Sequence, residues 1–288
     1  MTSPFESGSG ELDRAAFEEN VRAWASGGAD GVVVAGSTGE GPLLDEIEIL
    51  RLTEWARAAL PRGRTVVAGT GLESTRGTVR LCREVARNGA DAVLVRPPYY
   101  YRGAMTPEAV EAHFRAVADA SPVPVILYNI PKYVPVELAP DLVGRLSRHD
   151  DVVGIKDSSG EIRNLGALVE ACGDRASVLV GSGSLLYGAL EVGAGGGVLA
   201  VGLLAVEACR TILEAWRQGD SERAGAVQER VGALNDAVVG KLGVPGVKAA
   251  LDMLEGLEGG PVRGPLRPLE EKGLQKARGA LSAAGRLG

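Results

Sequence analysis

Short apolar runs recur along this chain at a spacing that few architectures can absorb. Gly31–Ala35, Thr65–Ala68, Ala92–Val95, Val125–Tyr128, Val152–Ile155, Ser177–Val180 and Gly197–Val201 are all four or five residues long and rich in β-branched and aliphatic side chains. Their starts fall 20 to 34 residues apart, about the length of one strand with its helix and loops. Each run is apolar throughout rather than alternating. A strand needs that pattern when helices cover one face of a parallel sheet and a packed interior fills the other.

Helix signals occupy the intervals. Asp13 precedes an amphipathic stretch ending at Ala25, Ser74 stands ready to cap Thr75–Arg87, and Thr106-Pro107-Glu108 pairs an N-cap with proline at the first helical position. The alternation predicts an α/β fold, a (β/α)8 TIM barrel over residues 1–204, followed by a C-terminal helical extension over 205–288. The remaining barrel strand must come from Met1–Phe5, which is short and polar for a buried position. In the extension, helices are expected over Ala205–Gln218, Ser221–Val239 and Val247–Leu257, with a charged last helix after the turn-rich Gly259–Pro265. The competing fold, a doubly wound open sheet, needs a glycine-rich phosphate turn, and Gly69-Thr-Gly71-Leu-Glu-Ser74 lacks the third glycine.

Composition excludes several functions. The net charge is −6 and no lysine or arginine run occurs, so the basic footprint of a nucleic-acid binder is missing. Met1–Gly10 is polar, and no apolar stretch reaches the ~18 residues of a membrane span; a cytoplasmic enzyme without membrane or nucleic-acid partners is expected. Cys82, Cys172 and Cys209 form no C-x-x-C pair and read as small buried hydrophobes.

In a parallel barrel the reacting groups sit where strands end. The polar residues that follow the runs are Gly36-Ser37-Thr38-Gly39-Glu40, Tyr128-Asn129, Lys156-Asp157-Ser158-Ser159 and Gly181-Ser182-Gly183. Lys156 stands out because Val152–Ile155 carries its amine to the mouth of an apolar barrel, where desolvation favours the neutral form. Lowering such a pKa from ~10.4 to ~7 raises the nucleophilic fraction at neutral pH from roughly 0.04% to about half. Lysine is also scarce here, six against 25 arginines, so this one is harder to dismiss as surface charge. Tyr128 can relay protons beside an imine, and the hydroxyls and backbone N–H groups of Ser37 and Thr38 can hold a carboxylate. Taken singly, each has a plainer reading: a lysine leaving a strand for solvent, a tyrosine bonded to backbone at the barrel mouth, a strand-to-helix turn. Tyr99-Tyr100-Tyr101 reads as packing or subunit contact rather than chemistry.

Other chemistries have less to work with. The two histidines, His113 and His149, lie away from strand ends, which argues against a metal site. No G-x-S-x-G elbow or dinucleotide fingerprint is present, so neither metal nor organic cofactor is expected. A phosphate site at Gly181–Gly183 and Gly195–Gly197 stays open, as does a silent barrel that merely binds a small acid.

Taken together, Gly36–Glu40, Tyr128-Asn-Ile-Pro131, Gly154-Ile-Lys-Asp-Ser-Ser-Gly160, Pro98-Tyr-Tyr-Tyr-Arg102, Gly89-Ala-Asp91 and Gly259–Leu266 resemble the dihydrodipicolinate synthase / N-acetylneuraminate lyase superfamily over nearly the whole chain. The resemblance implies a class I aldolase in which Lys156 forms a Schiff base with a 2-oxo acid and Tyr128 relays protons. It further implies that Ser37 and Thr38 bind the pyruvyl carboxylate and that Gly181 and Leu199 line its pocket. Tyr100 would cross a subunit interface within a homotetramer built as a dimer of dimers. Synthases of the superfamily carry an arginine two residues after the proline of the Tyr-Asn-x-Pro motif, whereas Pro131 is followed by Lys132-Tyr133. That departure, with Gly71–Thr75, Tyr100–Met105 and Lys156–Ser158, looks closer to 4-hydroxy-2-oxoglutarate aldolases, which cleave their substrate to pyruvate and glyoxylate. Ser158 is then a candidate ligand for the distal carboxylate. Dihydrodipicolinate synthesis from pyruvate and aspartate semialdehyde, or a related sugar-acid aldolase or dehydratase, is the alternative.

Overall fold

The computed structural model describes residues 1–287. Strands and helices alternate along the chain: α1 (Arg14–Ser26), β1 (Gly31–Val34), α2 (Glu46–Ala59), β2 (Thr65–Gly69), α3 (Thr75–Arg87), β3 (Ala92–Val95), α4 (Pro107–Ala120), β4 (Val125–Asn129), α5 (Pro140–Leu146), β5 (Val152–Asp157), α6 (Ile162–Cys172), β6 (Ser177–Val180), α7 (Leu186–Glu191) and β7 (Gly196–Gly197). They are followed by α8 (Gly202–Arg217), α9 (Ser221–Leu234), α10 (Gly243–Leu251) and α11 (Glu271–Ala283). The strands form one parallel seven-stranded sheet in sequential order β1 to β7. Sequential order excludes the doubly wound alternative, which requires the strand order to reverse at a switch point.

The expected caps form. Asp13 accepts the Ala16 N–H at 3.0 Å, Ser74 accepts from Gly77 at 3.0 Å, and Thr106 accepts from Ala109 at 3.3 Å. The Asp45–Glu48 pair closes a reciprocal capping box on α2. The apolar runs are buried as required for strands covered on both faces: every residue of β3 is buried, and Leu127 and Ile155 are fully enclosed. Phe17, Leu52, Leu81, Phe114 and Leu168 cover them from the helix side, each contributing roughly 1.5–3 kcal/mol relative to exposure.

Two strand expectations are corrected. Gly197–Val201 does not form a strand of that length; β7 pairs only through Gly196 and Gly197, and Val198 adds a single bond to the Val180 carbonyl at 2.9 Å. Gly195-Gly196-Gly197 has no side chains to pack on the sheet, and the chain then turns, with Gly202 N–H on the Leu199 carbonyl, into α8. Met1–Phe5 is likewise not a sheet strand. The Met1 nitrogen donates to the Val33 carbonyl at 2.7 Å, and Phe5 forms one isolated antiparallel bridge to Leu12. Pro4 has no N–H to extend that pairing. An eighth strand is therefore not present among the described residues. The sheet curls, and between β7 and β1 lies a cavity of about 460 Å³ bordered by Met1, Val32, Gly197 and Leu203.

The helices expected over Ala205–Gln218 and Ser221–Val239 fall close to α8 and to α9 with its continuation, whereas the one expected over Val247–Leu257 is shifted toward the N-terminus, as α10 ends at Leu251. A break at Ala205 (φ −153°, ψ 54°) divides the first turn of α8 from the rest, and α9 runs on into one π-helical segment, Asn235–Gly240. Among the described residues no helix is long and apolar enough to cross a membrane.

Candidate active site

The C-terminal ends of β1, β4 and β5 bring three of the expected residues into one chain of contacts. Tyr128 and Lys156 are register partners on β4 and β5, so their side chains leave the sheet side by side on its inner face. The Lys156 amine donates to the Tyr128 hydroxyl at 3.4 Å and lies 4.4 Å from the centre of its ring. On the other side, the Tyr128 hydroxyl is 3.3 Å from Ser37 Oγ. Both Tyr128 and Lys156 are buried, and among the described residues no carboxylate lies within ion-pair distance of Lys156. Ser37, Thr38 and Leu199 line the same cavity as Lys156.

Ser37 and Thr38 occupy a single 3-10 turn, Ser37–Gly39, held between two non-glycine residues with left-handed backbones, Ala35 (φ 52°) and Glu40 (φ 58°). Each costs roughly 1–2 kcal/mol in an L-residue. The sharp reversal leaves no space beside Ala35: a Cβ on Gly41 would stand 2.2 Å from its carbonyl oxygen.

Ser158 and Gly181 meet at the next position along the rim. A Cβ on Gly181 would lie 1.9 Å from Ser158 Oγ, so the hydroxyl fills the space that the absent side chain leaves. The Gly181 N–H also donates to the Asp157 carbonyl at 2.7 Å. Tyr100 does not join the others within this chain. It is 75% exposed in the loop after β3, packed edge-on against Tyr101 at 5.2 Å. The Glu73 carboxylate holds that loop by accepting the Tyr99 and Tyr100 N–H groups at 2.9 Å each. His113 and His149 are engaged elsewhere, by Thr75 and Asp119.

One pair with a supporting part was not singled out in the sequence. Asn129 and Asp157, each one residue beyond the Tyr128–Lys156 pair, are register partners whose side chains bond at 2.6 Å in full burial. Asp157 also accepts from Asn164 Nδ2 at 3.2 Å and Ser159 Oγ at 2.6 Å, and Asn129 Oδ1 accepts the Leu138 N–H at 3.1 Å. This clamp fixes the spacing of the two strand ends that carry the phenol and the amine. The available signal was positional: polar residues directly after two candidate side chains on neighbouring strands alternate to the opposite face and meet there.

An amine, a phenol and a hydroxyl in series can pass a proton to and from the oxygen of a carbonyl group whose carbon the amine attacks. Known proteins are similar to this chain over nearly its whole length. The model of the Dihydrodipicolinate synthetase family matches residues 1–284. The 4-hydroxy-tetrahydrodipicolinate synthase 1 of Streptomyces coelicolor is 36% identical, with 98% of this chain and 92% of that protein aligned. A synthase of the same name from Rhodopseudomonas palustris is 34% identical over 100% of this chain and 95% of its own length. Among solved structures, the dihydrodipicolinate synthase of Acinetobacter baumannii complexed with pyruvate superposes with a TM-score of 0.94 at 28% identity, covering 100% of this chain and 97% of that one. The curled sheet, the rim residues and these matches agree: the chain belongs to the dihydrodipicolinate synthetase family and is a class I, Schiff-base lyase.

Proposed function

We propose that Lys156 is the Schiff-base residue and that pyruvate is its keto acid. The observation that carries this reading is the buried contact series from Lys156 through Tyr128 to Ser37. The neutral amine attacks the C2 carbonyl, and the carbinolamine loses water to give an iminium. Tyr128 supplies and removes the protons of these steps. Loss of a C3 proton then gives an enamine, whose C3 bonds to the carbonyl carbon of an aldehyde while a proton passes to the new alkoxide. Water finally releases the product from the lysine. Run backwards, the same steps cleave a C3–C4 bond. Ser37 and Thr38 hold the pyruvyl carboxylate, Gly181 and Leu199 border the pyruvyl unit, and Tyr100 is supplied by a neighbouring subunit of a tetramer.

For the second substrate, the names of the relatives favour condensation with aspartate semialdehyde. Cleavage of 4-hydroxy-2-oxoglutarate to pyruvate and glyoxylate is the second reading, supported by the residues after Pro131. Where the resemblance places an arginine stands Tyr133, 53% exposed, with the Lys132 amine 5.5 Å from its ring. That arrangement offers a point charge rather than the planar fork that grips a carboxylate with two bonds. Ser158 then serves the distal carboxylate.

Reductive trapping tests the common step. Borohydride with pyruvate should add one reduced pyruvyl unit to the peptide containing Lys156, and Lys156→Ala should lose both the adduct and turnover. An adduct elsewhere, or turnover in the variant near that of the parent, would overturn the assignment. Assays with aspartate semialdehyde and with 4-hydroxy-2-oxoglutarate separate the two partners.

A further inference from the structure

The turn bearing Ser37 and Thr38 is tied at its far end to a buried ion pair with the C-terminal region. Glu40, immediately after the turn, directs its carboxylate inward: Oε1 accepts from Lys248 Nζ at 2.6 Å and Oε2 accepts the Arg263 backbone N–H at 2.8 Å. The two side chains are 0% and 1% exposed. Lys248, on α10, spends its other two N–H donors on the Ser3 and Pro261 carbonyls, at 2.8 and 2.6 Å, which completes an ammonium's capacity. Its amine also lies 4.4 Å from the centre of the Phe5 ring, with the Arg263 guanidinium 4.1 Å from the same ring. Arg263 continues the tether to both oxygens of Glu48 and to the Leu43 and Gly10 carbonyls. Ser3 Oγ donates to the Gly39 carbonyl at 2.7 Å.

A lone 3-10 turn has poor hydrogen-bond geometry and little stability of its own, and this one is flanked by two left-handed residues. Its position must be imposed from outside. The contact it has to maintain has little slack, because Ser37 Oγ is already 3.3 Å from the Tyr128 hydroxyl and a shift of about 0.5 Å takes it out of hydrogen-bond range. We infer that Glu40 and Lys248 are positioning residues that hold the Ser37–Thr38 turn in its carboxylate-binding geometry, coupling the C-terminal region to substrate affinity. This inference rests on the assignment of Ser37 and Thr38 as ligands of the pyruvyl carboxylate.

The test is the pyruvate KM of folded protein. Lys248→Met alone strands a buried carboxylate, so the informative variant is Glu40→Gln/Lys248→Met, which removes both charges at similar volume. It should raise the pyruvate KM about tenfold or more while borohydride trapping at saturating pyruvate still labels Lys156. Ser37→Ala should raise KM comparably, and adding it to the double variant should produce no further multiplication. If the double variant does not fold, Glu40→Asp, which keeps both charges and shortens the reach to Lys248, carries the same expectation. If Ser37→Ala raises KM but the pair variant binds pyruvate as the parent does, the positioning role is overturned and the ligand assignment survives. If Ser37→Ala leaves KM unchanged, the ligand assignment fails and takes the inference with it.

Discussion

At the scale of single residues, the site depends on short contacts between side chains that start on different strands. Tyr128 touches both the amine and the Ser37 hydroxyl, so removing its oxygen should slow proton transfer and leave the pocket otherwise intact. Tyr128→Phe is expected to lower kcat by about 10²–10⁴ with pyruvate binding changed far less; an unaltered kcat would remove the relay. Lys156, Tyr128 and Ser37 were legible in the sequence because each ends or follows an apolar run, and a barrel rim gathers such residues whatever the loops do. The fit of Ser158 against Gly181 was not legible as a contact. It depends on where two loops place a hydroxyl and a missing side chain, and strand periodicity does not encode loop conformation. Tyr100 is implied by resemblance alone, and within one chain it is exposed to solvent.

At the scale of elements, helices with good caps and strands with continuous β-branched runs fell where periodicity put them. The strands expected over Gly197–Val201 and Met1–Phe5 did not, since glycine contributes no packing and proline removes a donor just where the ladder would need them. Joins between elements were also hidden. His113 on α4 is buried against Thr75 at the start of α3, its Nδ1 2.9 Å from the threonine hydroxyl and its Nε2 without a partner. Burial pushes this imidazole down to about 4, from an ordinary 6.5 in the unfolded chain. Between those values the unfolded chain binds the extra proton, so stability is full above pH 6.5 and falls as the pH drops toward 4. At about 1.4 kcal/mol per unit, the loss between pH 7 and pH 5 is roughly 2 kcal/mol. Urea unfolding at the two pH values should show it, and His113→Gln should show less; equal losses in both proteins would count against this origin.

At the scale of the whole molecule, the aromatic side chains Tyr100, Tyr101 and Tyr133 remain more than half exposed in loops that follow β3 and β4. A tetramer would bury such residues and deliver Tyr100 to a neighbour's site. Sedimentation is therefore expected to give a tetramer, with Tyr100→Phe slowing turnover in the assembled enzyme, whereas a fully active monomer would end that role. The sheet assembles from neighbours along the chain and can form in order of synthesis. Glu40 is different: its carboxylate oxygens are bonded by residues 208 and 223 positions later, Lys248 and Arg263. Both lie beyond β7, so the residues that anchor this glutamate are synthesised after every strand. If Ser37 and Thr38 hold a carboxylate as proposed, the stretch of chain made last is the one that completes the substrate's anchor.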